Sequence, residues 1–216
     1  MTVFIERELF ALYREDWVKR GFDILFSASV LVLLFPVYFV IALAIKCSSK
    51  GPVFYSSLRA GLDGRIIKCY KFRTMCIDAE VKLKKILEDP TYLREWKRYS
   101  KLKKDPRVTK VGKWLRKTSL DEMPQFWNVL KGDLSVVGPR PYLIEEVMYH
   151  LGLRKEKILS VRPGITGLWQ TSGRNLLTFE ERISLEATYI DLRCFSLDLF
   201  LVCKTIPLII RAKGAY

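Results

Sequence analysis

One long apolar run dominates the chain. From Gly21 to Ile45 the only charged residue is Asp23; Trp17, Lys19 and Arg20 precede the run, and Lys46 and Lys50 follow it. At roughly 25 residues it is long enough to cross a hydrocarbon core of about 30 Å. It is too long for a cleaved signal peptide and shows no small-residue cleavage site. Basic residues at both ends argue against simple crossing, because such residues favour the cytoplasmic side. Pro36, near the middle, removes a backbone hydrogen bond and can kink a helix. Two readings remain open: a single span that tolerates its proline, and a helix–break–helix over 17–46 that enters and leaves on one face.

The remaining pattern is mixed. Met1–Glu15 reads as a short amphipathic lead-in. Val53–Tyr55 and Ile66–Phe72 are β-branched and aromatic, and Gly61–Gly64 between them predicts a β-hairpin. Asp78–Glu88 and Thr91–Leu102 have helical period and dense lysine; such helices could lie on an anionic membrane surface or simply present a solvated face. Asp105–Thr109 turns into a short helix, Val108–Lys117. Met123, Phe126, Trp127 and Leu130 recur at helical spacing, and Gly132 marks that helix's end. Tyr142–Leu159 and Phe179–Arg193 read as helices. Phe195–Ile210 is apolar but interrupted by Asp198, Lys204 and Pro207, so an interfacial helix is expected rather than a span. The predicted class is α+β, predominantly α-helical, with one small β-hairpin. The 216 residues are expected to form a single domain, with 47–216 as its globular part.

Composition narrows the partners. Lysine and arginine total 37 against 23 acids, a net charge of +14, which favours phosphorylated substrates, anionic membrane lipids or nucleic acid. No recognised nucleic-acid motif accompanies the charge, so nucleic acid is not expected. The five cysteines are scattered without a CxxC pair and read as reduced, mostly buried thiols. The single histidine, His150, has no catalytic neighbour in sequence and reads as a surface or packing residue.

Candidate chemistry gathers in Thr118–Pro141. Asp121 and Glu122 are adjacent at a predicted helix start, and Val137-Gly-Pro-Arg-Pro141 holds Arg140 between two prolines on stiff, extended chain. Carboxylates can bind a metal or attack phosphorus, and a guanidinium can take phosphate oxygens bidentately. A bland alternative stands beside this one: Ser119-x-x-Glu122 also matches a capping box. The second hairpin strand carries Lys68, Lys71 and Arg73, which could meet phosphate or form a solvated face. Further on, Arg162-Pro-Gly164-Ile-Thr166-Gly and Leu168-Trp169-Gln-Thr-Ser-Gly-Arg174 combine glycines that permit close approach to a ligand, two arginines, and a tryptophan that could stack on a base or simply be buried.

Ser119–Gln125, Trp127–Asp133 and Val137–Pro141 together resemble the bacterial sugar transferase family, the monotopic polyprenyl-phosphate phosphoglycosyl transferases. Gly51-Pro-Val-Phe54 and Lys71-Phe-Arg-Thr-Met75 resemble further motifs of that family, and the likeness runs from about Trp17 to the end of the chain. It implies a re-entrant membrane helix broken at Pro36, although the Ser-Pro break of many members is Phe35-Pro36 here. It also implies transfer of a sugar 1-phosphate from a UDP-sugar to undecaprenyl phosphate, with release of UMP. Asp121 would be the nucleophile and Glu122 the ligand of Mg2+. Arg140, Lys71 and Arg73 would bind phosphate, with Arg162, Gly164, Thr166, Trp169 and Arg174 as a nucleotide or sugar loop. The Trp169–Arg174 form is similar to members that transfer galactose or glucose 1-phosphate. The expected location is the cytoplasmic face of the bacterial inner membrane, with no additional regulatory domain and with a homodimer left open. Two other classes are carried alongside: a basic membrane-anchored binding protein, and a glycosyltransferase that releases UDP.

Overall fold

The apolar run folds as two helices. In the computed structural model of the chain, which describes residues 17–99, 102, 104–173 and 177–210, α1 (Trp17–Leu33) and α2 (Phe35–Ser48) meet at 60°. Pro36 lies in the first turn of α2, where its missing N–H leaves no ladder bond unmade. No single helix among the described residues is long and apolar enough to cross a membrane. The predicted lead-in over 1–15 lies outside the described residues.

Burial along this pair is inverted. Leu25, Val32, Leu33, Phe35, Phe39 and Val40 are exposed, while Asp23 and Ser27 are buried. Polar contacts draw α1 onto the rest of the chain. Lys19 Nζ lies 3.0 Å from Asp23 and 2.6 Å from Asp198. Asp23 accepts from the Val136 N–H at 3.0 Å, and the Tyr189 hydroxyl donates to Asp198 at 2.8 Å. Arg20 donates to the Val129 and Leu130 carbonyls at 2.5 and 2.7 Å, closing the end of another helix by the favourable placement of a cation at a helix C-terminus.

The predicted hairpin is present. β1 (Phe54–Ala60) pairs antiparallel with β2 (Ile66–Phe72), with Ser57 opposite Cys69. Its first strand runs five residues further than the apolar pattern indicated, because the tight turn at Leu62–Gly64 brings Ala60 directly opposite Ile66. The lysine-rich helices follow as α3 (Ala79–Ile86) and α4 (Pro90–Tyr99), and then α5 (Lys110–Thr118) and α6 (Gln125–Lys131).

A parallel pairing that the pattern did not reveal closes the centre. β3 (Ser135–Val137) pairs with β4 (Gly164–Thr166). The backbones are so close that a Cβ on Gly164 would lie 2.1 Å from the Gly138 nitrogen. Gly164 is therefore required by chain packing.

The predicted helix Tyr142–Leu159 is divided. α7 (Ile144–Tyr149) stops before Gly152, whose φ of 50° a continuous helix excludes, and α8 (Lys155–Leu159) resumes after it. α9 (Leu168–Ser172), α10 (Phe179–Leu192) and α11 (Phe195–Ile210) complete the order.

Buried Cys69, Val129, Leu134, Val136, Val137, Tyr189, Leu201 and Val202 form one core under β3. Ile41, Ile45, Phe72 and Leu115 form another, joining α2 to the hairpin and α5. All five cysteines are free, but only Cys69 is buried, and Cys47 and Cys203 are exposed. The expectation of mostly buried thiols is corrected accordingly. His150 packs its ring edge against Phe179, 5.2 Å between centroids.

Candidate active site

The carboxylate pair does not open an α-helix. α5 ends at Ser119, which takes the left-handed conformation (φ 57°), and Leu120–Glu122 form a single 3-10 turn before Pro124 caps α6. Proline has no N–H to continue the preceding turn, so the chain starts a new helix there. The capping box is absent too. The Ser119 N–H bonds to the Arg116 carbonyl, and Glu122 reaches Lys71 on β2 at 2.5 Å. The turn thus links two helices, with the Glu122 carboxylate engaged by Lys71 and not by a cap.

The environments of the two carboxylates differ. Burial, followed by the like charge of Glu122, pushes Asp121 up to about 6, against the opposing pull of Lys71 and Arg116. Burial would raise Glu122 as well, but the charge and hydrogen bond of Lys71, with Arg140 and Arg59 behind it, hold it below the ordinary glutamate value. One carboxylate is therefore poised near neutrality and its neighbour is held ionised. Divergent environments of this kind are how adjacent acids come to serve different roles. Arg116 is half-buried and donates to the Thr74 hydroxyl at 3.0 Å.

Arg140 is positioned through its backbone. Its N–H donates to Glu186 on α10 at 2.7 Å, and the Tyr142 hydroxyl donates to the other oxygen of the same buried carboxylate. From the opposite side, Ala60 donates to the Tyr142 carbonyl at 2.9 Å and Arg59 to the Pro141 carbonyl at 3.3 Å. The Arg140 guanidinium lies 5.6 Å from the Trp169 ring centre. The bent helix pair also reaches the site: the Tyr38 hydroxyl on α2 donates to the Met123 carbonyl at 2.7 Å, one residue past Glu122.

Asp121, Glu122, Lys71 and Arg140 are brought together, and other named candidates are placed elsewhere. Arg73 is 7% exposed and donates to the Lys50 and Ser49 carbonyls at 2.6 and 2.8 Å. It clips the end of α2 to the hairpin instead of facing a ligand. Arg162 donates to the Gly132 carbonyl at 3.1 Å, at the far end of α6 from the carboxylates. The Thr166 hydroxyl pairs with Thr205 at 2.7 Å. Trp169 is 5% exposed and offers no open face to a base, which decides for the buried alternative. Arg174 lies outside the described residues.

Sequence reasoning passed over Arg59, Tyr38, Arg116 and Glu186. For Glu186 a signal existed: it is a lone acid on the stripe Ile183, Ala187 and Ile190. Arg59 and Tyr38 left no such mark.

Among the described residues no group of three or more His, Cys, Asp or Glu could hold a metal ion. The Asp121–Glu122 pair still suits a hard cation such as Mg2+, which commonly takes one or two carboxylates and completes its shell with substrate phosphates and water.

The profile of the family described as bacterial sugar transferase matches residues 14–212. The chain is 38% identical over 207 residues to a UDP-galactose-lipid carrier transferase of Erwinia amylovora, covering 95% of this chain and 43% of that relative. It is 40% identical over 199 residues to the exopolysaccharide production protein ExoY of Sinorhizobium fredii, covering 92% and 88%. An undecaprenyl-phosphate galactose phosphotransferase of Salmonella typhimurium is 41% identical over 202 residues, covering 93% and 42%. The chain thus spans less than half the length of the Erwinia and Salmonella relatives and most of the Sinorhizobium one.

Proposed function

The chain belongs to the bacterial sugar transferase family, and from that premise we propose that it moves a hexose 1-phosphate from a UDP-sugar to a polyprenyl phosphate, of which undecaprenyl phosphate is the expected form, and releases UMP. The observation that carries the proposal is the turn that sets half-buried Asp121 beside Glu122, whose carboxylate Lys71 holds at 2.5 Å. A carboxylate attacks phosphorus without a general base, and none of the donors around Asp121 is a histidine. An Asp121 oxygen bonds to the β-phosphorus of the donor as the bond to the UMP oxygen breaks. The lipid phosphate oxygen then bonds to the same phosphorus, and Asp121 leaves as carboxylate. Glu122 would hold Mg2+, sharing its carboxylate with Lys71. When bound, that ion neutralises charge on the diphosphate oxygens. Arg140 contributes a fixed guanidinium.

The bent helices fit a re-entrant reading. Their exposed apolar residues at the bend would enter the bilayer, while Lys19, Arg20, Lys46 and Lys50 would stay at one surface, taken as the cytoplasmic face of the inner membrane. The lysines of α3 and α4 would meet anionic lipids there. Residues 1–216 would act as one catalytic unit.

The deciding experiment incubates detergent-solubilised protein with a panel of UDP-sugars, with and without polyprenyl phosphate. UMP release and a phosphosugar adduct on Asp121 formed by donor alone are expected. UDP release would indicate glycosyl transfer, and release of neither would indicate a binding protein. Either result overturns the proposal.

The pH profile supplies a separate test. Asp121 attacks as the carboxylate, so donor-only labelling should fall as pH drops through about 6 and level off above it. Glu122→Gln removes a like charge and releases the Lys71 ammonium. Both changes favour the ionised form of Asp121, so the acid limb should move to lower pH. An unmoved limb would count against Asp121 as the titrating group.

A further inference from the structure

We propose that Arg59, Arg140 and Arg182 form one anion subsite, which takes the donor phosphate that stays with the nucleoside; this assignment rests on the function proposed above. The argument begins with charge that the protein itself leaves uncompensated. Among the described residues none of the three arginines has an ion pair to a carboxylate. Arg59 donates to the Ser57 hydroxyl and the Pro141 carbonyl, and Arg182 to the Leu177 carbonyl, all neutral acceptors. The Arg140 guanidinium rests on Trp169, and Arg182 lies against the same ring at 5.0 Å.

Acids are near, but each is engaged by another donor. Glu122 is held by Lys71, Glu186 by the Arg140 N–H and the Tyr142 hydroxyl, and Glu146 by the Leu143 N–H at 2.8 Å. Half-buried guanidinium groups assembled without a direct ion pair repel one another. That repulsion is felt: Arg59 and Arg182 are both lowered from the ordinary arginine value, by burial first and by Arg140 second. A fold that tolerates such a cluster gains when an anion enters it. Planar forks suit phosphate oxygens better than lysine ammonium does.

Position selects which phosphate. Lys71 and Arg116 stand at the carboxylates themselves, where the attacked phosphorus must lie. Arg59 and Arg140 act on Glu122 more weakly than Lys71, which bonds it directly, and Arg140 and Arg182 lie against the same Trp169 ring. The trio is therefore the next cationic station along a diphosphate whose other end is at Asp121.

The test is equilibrium binding of UMP, and separately of inorganic pyrophosphate, to the full chain in detergent. Arg182→Gln and Arg59→Gln should each weaken UMP by about tenfold, the loss of one charged hydrogen-bonding group. Arg182→Lys should restore only part of that affinity, because an ammonium has no fork. The KM for polyprenyl phosphate should not move, and unfolding midpoints show that each variant is folded. Unchanged UMP affinity in both glutamine variants overturns the assignment. So does a raised KM for polyprenyl phosphate with UMP unaffected, which would make this a lipid-phosphate site. Labelling of Asp121 by donor alone reports on the mechanism independently, so either idea can fail without the other.

Discussion

Asp121→Asn is expected to abolish turnover, by about 10⁴-fold or more, and to leave no adduct after incubation with UDP-sugar. The substitution is isosteric, so what disappears is the charge that attacks phosphorus. Stability should go the other way. Asp121 has a folded-state value near 6 against an ordinary 3.8, so the folded protein binds this proton more tightly than the unfolded chain. Its contribution is favourable at low pH and is lost as pH rises from the unfolded value through about 6. Above that point the ionised side chain is a burden, caused by burial and by Glu122, and a neutral asparagine removes it. Thermal unfolding at pH 7.5 should therefore show an equal or higher midpoint in the inactive variant. A mass shift of one hexose phosphate on the asparagine protein, or on any other residue of the native one, would end the case for Asp121.

Lys19→Met should produce the largest loss of stability. One ammonium serves two carboxylates, Asp23 at 2% exposure and Asp198 at 0%. Methionine keeps much of the aliphatic volume and removes an ammonium that both carboxylates contact. Breaking a buried ion pair from one side costs roughly 3–5 kcal/mol, because the remaining charge stays desolvated. Denaturation in detergent should show that loss. Adding Asp198→Asn to Lys19→Met should recover part of it, since the amide oxygen still accepts from Tyr189 and one buried charge is gone. Equal midpoints for native and Lys19→Met protein would mean that the network bears little of the docking of α1.

The hairpin and Phe195–Ile210 were legible because each rests on a local signal, a glycine turn between β-branched runs or sustained apolar character; the proline in the long apolar stretch marked a possible break but left a single span equally open. The β3–β4 pairing was not legible. Three residues on each side carry no periodicity, and the partners are far apart in sequence. Within the site, the type and order of Asp121, Glu122 and Arg140 could be read from the sequence. The separation of Lys71 from Arg73 could not. Two residues apart, they would share a strand face, but β2 ends at Phe72, and past that end the chain turns Arg73 towards Ser49 and Lys50. Trp169 was equally ambiguous, since a tryptophan between glycines suits a platform for a ligand as well as one for the protein's own arginines.

The hydrogen bond from Tyr38 to the Met123 carbonyl has a mechanical meaning. It connects the helix after the bend to the peptide next to the carboxylates over 2.7 Å, with no flexible segment to absorb movement. On the re-entrant reading proposed above, a change in how deeply that helix seats would be delivered to the turn itself. Bilayer thickness would thereby be felt at two half-buried carboxylates.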